Sequence, residues 1–261
     1  ERNEAVSAFN AAHTNSERLM CKLFTDTTFI TRYAYKAPVM RFPFMTTGAQ
    51  QPASGATSIQ DRSDALYNQI YEVAANMQSH DLGIDLNDVF TYEEWYDMFT
   101  TNNTYWYSVS AYSPLTGEIV PYGHASLLQD ILDKANDVIA NGGTNAHLRY
   151  GHDTALFPLL CLMEINDCGW SVSDFEKIAD KWVAYDIVHM GSNLQLIFFK
   201  DKKGTVLVRA LLNEEEAELP VDSYIDSKGK EHKYFYEWSK VSAFYQSRIE
   251  SLKQKLSAQE N

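Results

Sequence analysis

The apolar pattern of this chain changes period once, and that change limits what the chain can fold into. In the first half the apolar residues recur at helical spacing, as in Leu66, Ile70, Val73, Ala74 and Met77. The run from Ser126 to Ile139 carries Leu127, Leu128, Ile131, Leu132, Ala135 and Val138 on one broad face and ends on Asn-Gly-Gly. Later the period falls to two. NLQLIFFK and TVLVRALLN alternate, and the polar turn DKKG between them predicts a β-hairpin, the first strand with Leu194, Leu196 and Phe198 on one face and the second alternating Val206, Val208 and Ala210. WSKVSAFYQSRIESLKQKL closes the chain as an amphipathic helix with Val241, Phe244, Tyr245 and Ile249 inward. Helices first, then strand and helix, a hairpin and a closing helix imply an α/β fold. The division expected is a mainly helical domain over 1–139 and the α/β part over 140–261.

Other segments fill in this frame. Glu4 to Phe24 suits one or two amphipathic helices, and Thr91 followed by Glu93 and Glu94 reads as the capped start of another. Asn102, Trp106 and Tyr107 belong to an aromatic-rich stretch expected inside the helical region. Pro38 to Ala56, with three prolines and two glycines, reads as a loop. AHLRYGHD is a short strand candidate, followed by a helix over ALFPLLCLME, while NEEEAELPVDSYIDSKGKEHKY reads as surface. Three strands make a thin sheet for a chain of 261 residues.

With 35 acidic against 22 basic residues the formal charge is -13, which argues against non-specific binding to nucleic acid or to anionic membranes. A local pocket for an anionic substrate is compatible with that balance. No apolar run approaches the ~20 residues of a membrane-spanning helix. The first residues, ERNEAVSAFNAAH, lack the basic-then-apolar pattern of an export signal. Cys21, Cys161 and Cys168 form no disulfide scaffold; Cys161 and Cys168 either pair across NDCGW or stay free. The chain has no cysteine and histidine spacing for zinc, no P-loop, no GxGxxG and no GxSxG.

The sharpest local feature is Arg149-Tyr150-Gly151-His152-Asp153-Thr154, placed between a strand candidate and a helix. A histidine there can donate to a phosphate oxygen, and the neighbouring carboxyl, if protonated, can supply a proton to a leaving alcohol. The alternative is an ordinary strand-to-helix cap in which Asp153 accepts amide hydrogen bonds. His189, beside a glycine, and Arg149 are secondary candidates for contact with substrate. Arg41 in the proline-rich loop and His147 are weaker ones, with salt-bridge or surface roles as the alternative.

These residues, YGHDTALFPLLCLMEINDCGW, also carry a resemblance. With LYNQIYEVAANMQS, DLNDVFTYEEWYDMFTTNNTYWY, ASLLQDILDKANDVI, HMGSNLQLIFF, VLVRALLNEEEAELP and YFYEWSKVSAFY, they follow one another in the order found in the histidine acid phosphatases of the phytase-like branch. The sequence resembles the second half of that family's multiple inositol polyphosphate phosphatases. The resemblance implies a histidine-phosphatase-like mixed sheet, incomplete here, with a helical domain. It also implies hydrolysis of myo-inositol polyphosphates or other phosphomonoesters through a phosphohistidine, without metal or other cofactor. His152 would hold the transferring phosphoryl group and Asp153 would protonate the leaving oxygen. The family's nucleophile lies in an Arg-His-Gly motif, and none of the seven histidines here has that setting. The expectation is therefore a C-terminal part whose partner is the missing N-terminal segment of the same protein, inactive by itself, from a periplasmic, cell-surface or secreted enzyme. The alternative is a non-catalytic phosphate- or glycan-binding module.

Overall fold

The computed structural model describes residues 2–26, 59–144 and 146–259. The proline-rich loop and Arg41 lie outside the described residues. The chain divides into two compact units, 6–102 and 103–261 with the first five residues.

The first unit is helical. Its elements are α1 (Arg2–Ala12, shared with the second unit), α2 (Ser16–Leu23), α3 (Ile59–Asn76) and the first part of α4 (Tyr92–Ser110). Leu19 and Met20 of α2, Tyr67 and Ala74 of α3, and Phe90 and Met98 form its buried core. Thr91 and Glu94 make the reciprocal capping box expected from the sequence. Glu94 donates its N–H to Thr91 Oγ1 at 3.2 Å, and Thr91 donates its N–H to Glu94 Oε2 at 2.8 Å. Glu94 also receives Arg18 through both Nε and a terminal nitrogen, so the cap of α4 is tied to α2. Asp64 lies beyond the first turn of α3 and accepts from Ser16 Oγ at 2.5 Å.

The second unit is mixed. It contains α5 (Ala125–Asn141), α6 (Asp153–Met163), the short α7 (Ala184–Ile187) and α8 (Trp238–Gln259) around a small sheet. The predicted hairpin is present as β1 (Leu194–Lys200) and β2 (Val206–Leu212), antiparallel with Leu196 opposite Ala210 and Phe198 opposite Val208. Asp201 Oδ1 accepts the N–H groups of Lys203 and Thr205, each at 2.8 Å, which closes the turn. β3 (Glu215–Ala217) and β6 (Tyr236–Glu237) pair in succession along the other edge of β2. β4 (Tyr224–Ile225) and β5 (Glu231–His232) form a separate two-stranded sheet. The acidic stretch read as surface therefore carries three short strands, β3, β4 and β5. Glu215 and Glu216 are poor strand formers. The turn at Asn213 and Glu214, both at positive φ, folds them back onto β2 and buries Ala217.

AHLRYGHD does not form a strand. Residues 146–152 are exposed and unpaired, with backbone at His152 extended (φ -118°, ψ 166°). A strand exists only through the hydrogen bonds of a neighbour, and among the described residues no segment pairs with this one.

α6 is the central element of the unit. All seven residues from Phe157 to Met163 are buried. Leu159, Leu160, Leu162 and Met163 join the core of sheet, α5 and α8, while Phe157 and Cys161 face an aromatic cluster. In that cluster Phe157 lies 5.2 Å from Trp106 and 5.4 Å from Trp182, and Tyr107 lies 5.6 Å from Trp182. Asn103 holds the Trp182 loop with both ends of its amide, donating to the Trp182 carbonyl and accepting from Ala184 N–H, each at 2.8 Å. Pro158 sits in the second turn of α6, where it removes a bond to Thr154; that residue is exposed, so water can satisfy its carbonyl.

Candidate functional site

The start of α6 combines a fixed backbone with free side chains. Burial of the helix from Phe157 onward anchors its first turn, and His152 occupies the cap position, its carbonyl accepting from Ala155 and Leu156 at 3.0 and 3.1 Å. The carbonyl of His152 is thus committed to the helix. Its ring makes no capping hydrogen bond and is exposed. Asp153, also exposed, spends one carboxylate oxygen on the Thr154 N–H at 2.7 Å. An imidazole and a carboxyl held side by side at a helix N-terminus, where the backbone dipole favours an anion, can together bind a phosphoryl group and handle a proton.

Arg149 stands three residues before His152, so at most about 11 Å of extended chain separates their Cα atoms. Its guanidinium pairs with Asp130 Oδ2 at 2.5 Å. The hydrogen bond from Arg149 is the main cause holding the Asp130 carboxyl below the usual carboxylate range. Asp130 belongs to α5, so this pair ties the exposed approach to α6 onto a packed helix. His147 is exposed in the same stretch.

His189 lies in the loop between α7 and β1. Its ring Nδ1 is 3.0 Å from the Met190 carbonyl, and its N–H donates to Ser192 Oγ at 2.6 Å. No hydrogen bond or ion pair joins His189 to His152, Asp153 or Arg149. His80 is exposed in the 6–102 unit, where its N–H caps a single 3₁₀ turn. Cys161 and Cys168 are both buried free thiols. Among the described residues no group of three or more His, Cys, Asp and Glu is arranged to hold a metal ion.

Sequence reasoning missed Asp130, which lies 19 residues before Arg149 on a helix surface rich in carboxylates. Nothing in local spacing singles it out. It also missed Ser192, which fixes the backbone at His189 through a side chain that is indistinguishable in sequence from any loop serine.

No family model matches this sequence, and no curated protein matches it. Solved structures do match the fold. The crystal structure of the apo form of Bifidobacterium longum multiple inositol polyphosphate phosphatase superposes with a TM-score of 0.56 at 20 % identity, over 71 % of this chain and 39 % of that one. Its complex with inositol hexasulfate gives 0.55 at 19 %, over 71 % and 38 %. The complex with phosphate gives 0.55 at 19 %, over 72 % and 40 %. The chain thus shares the histidine-phosphatase-like mixed α/β fold expected from its sequence, with an incomplete sheet, and spans about two fifths of the length of these structures.

Proposed function

We propose that this chain supplies the His-Asp half of a phosphomonoesterase site acting on myo-inositol polyphosphates. The observation that supports this reading most is the cap of α6. There His152 and Asp153 are exposed and adjacent on the most deeply buried helix of the unit, in a chain whose fold resembles a phosphatase crystallised with inositol hexasulfate and with phosphate. In the first half-reaction the nucleophilic nitrogen of a second histidine forms a bond to phosphorus while the bond to the inositol oxygen breaks. His152 donates a hydrogen bond to a phosphoryl oxygen, and the protonated Asp153 carboxyl transfers its proton to the departing alcohol. In the second, water attacks phosphorus and gives a proton to the Asp153 carboxylate while the phosphorus–nitrogen bond breaks, which releases phosphate and frees the nucleophilic histidine. Arg149 adds positive charge beside the site once a polyanion competes for it with Asp130. His189 is a weaker candidate for the same role. The nucleophile comes from an Arg-His-Gly segment outside these 261 residues, and the enzyme acts in the periplasm, at the cell surface or after secretion.

The test is phosphate release from inositol hexakisphosphate by the protein as its gene encodes it. Asp153→Asn is expected to lower turnover by roughly 10²–10⁴-fold, the usual worth of a positioned general acid. His152→Ala is expected to abolish it, and His80→Ala to leave it unchanged. Near-normal turnover in the His152 variant sinks the assignment. The absence of any Arg-His-Gly among the seven histidines also favours a second reading, a phosphate- or glycan-binding module without chemistry. In that case inositol hexasulfate binds, His152→Ala weakens the binding, and no phosphate is released by any form.

A further inference from the structure

The helical unit carries a second surface with a different character. Between the end of α3 and the first turn of α4 lies an open cleft of about 710 Å³, lined by Ala74, Met77, Leu86, Phe90 and Trp95, with Ile84 and Tyr92 at its mouth. Its wall is preformed. Trp95 donates Nε1–H to the Asn87 carbonyl at 3.1 Å and packs against Phe90 and Tyr71, with ring centres 5.2 and 5.4 Å away. The apolar character continues onto the outer surface, where Leu82 is 63 % and Ile84 54 % exposed. Exposed apolar side chains beside an apolar cleft mark an interaction site more often than a stable solvent face.

The charge around the cleft selects the partner. Residues 72–97 hold seven acids and neither lysine nor arginine. Glu94 is taken by Arg18, and Lys22 donates to the Asp88 carbonyl. Glu72, Asp81, Asp85, Asp88 and Glu93 are exposed. Asp85 spends one oxygen on the Asn87 N–H at 2.8 Å. Asp85 is the one charged residue of the lining, and a trough formed by so acidic a segment disfavours inositol polyphosphates, nucleic acid and anionic lipid, and favours a partner that is both apolar and cationic. A trough between helical segments fits the apolar stripe of an amphipathic helix, read as anchors at i, i+3 or i+4 and i+7.

We propose that this cleft docks the apolar face of a cationic amphipathic helix from a protein partner. Leucine-like anchors sit against Trp95, Leu86 and Ile84, and Lys or Arg flanks meet Asp81, Asp85, Asp88 and Glu93. The site is independent of the reading given to His152.

The probe is a fluorescent peptide of about 18 residues, five helical turns, built from Leu and Lys at helical period. Its binding to the whole 261-residue chain is measured by anisotropy at physiological salt. The amphipathic peptide is expected to bind. The same composition scrambled to remove the apolar stripe should bind at least about tenfold more weakly, because its anchors no longer fall on one face. A Leu/Glu counterpart should not bind. Leu82→Ser with Ile84→Ser should lower affinity by at least about tenfold with an unchanged circular dichroism spectrum. Asp85→Asn with Asp88→Asn should weaken binding and flatten its salt dependence. Glu214→Gln with Glu215→Gln, in the other unit, should leave it unchanged. Equal binding of the scrambled peptide, indifference to the Leu82 and Ile84 substitutions, equal weakening by the Glu214 and Glu215 pair, or no binding at all would each overturn the proposal.

Discussion

Gly169 illustrates how closely single atoms are fitted behind the candidate site. A Cβ there would stand 2.6 Å from Glu164 Cγ, a distance at which something must move. Glu164 has little room to give, because it ends α6 in the left-handed region (φ 53°) and its Oε1 accepts from Arg248 at 2.7 Å. Arg248 also donates to Tyr112 Oη at 2.7 Å, so a shift at Glu164 is passed to α8 and the aromatic cluster. Gly169→Ala is expected to cost about 1–3 kcal/mol, the range for overpacking, read as a lower urea midpoint at unchanged slope. Gly191→Ala has open space around its Cβ but a φ of 76°, so its cost is backbone strain alone, roughly 1 kcal/mol. At this scale the candidate pair His152 and Asp153 could be picked out in sequence because it occupies two adjacent letters. Asp130 was not, since its role depends on the approach of Arg149.

α4 is the element whose sequence signature and structure agree most closely. Thr91 and Glu94 cap it reciprocally, and removing the hydroxyl in Thr91→Ala should cost about 0.5–2 kcal/mol, visible as a lower denaturant midpoint. Glu94 connects this cap to pH. Burial alone would raise its pKa, but the hydrogen bonds from Arg18 and from Thr91 N–H outweigh burial and leave the carboxyl below its ordinary value. A depressed folded-state pKa means that the unfolded chain binds the proton more readily. The resulting stability is full above the usual glutamate range and is lost as pH falls through the lower folded-state value. In urea titrations between pH 7 and pH 3, Glu94→Gln should be less stable than the parent at neutral pH. The gap should close toward the acid end, and a gap independent of pH would assign the loss to packing. The strand candidate over 146–152 shows the opposite case. Its alternation is real, but pairing partners decide whether alternation becomes a strand.

For the whole molecule, the two buried thiols report on how tightly the 103–261 unit is closed. Burial pushes the Cys168 thiol up to about 12 and Cys161 upward as well, so neither forms a nucleophilic thiolate near neutrality. Cys21 is exposed. An aromatic disulfide reagent should therefore titrate one thiol in the native protein and all three in denaturant, and the slow reaction of the other two should follow the opening of the cluster around Trp182. Rapid native-state modification of Cys161 or Cys168 would show that the cluster opens without global unfolding. Among the described residues no helix is long and apolar enough to cross a membrane.

The sequence by itself determined the class of fold, the presence of the hairpin, the extent of α5 and the cap of α4. Each of these depends on residues close together in the chain, where periodicity and turn chemistry act directly. Tertiary structure alone decided that Phe157 to Met163 are buried on both sides and that Arg149 meets Asp130. It also decided that residues 215–217 join β2, and that Trp95, Ile84 and Asp85 line one cleft. These outcomes follow from which surfaces exclude water together, and long-range contacts of that kind leave no local period in the sequence.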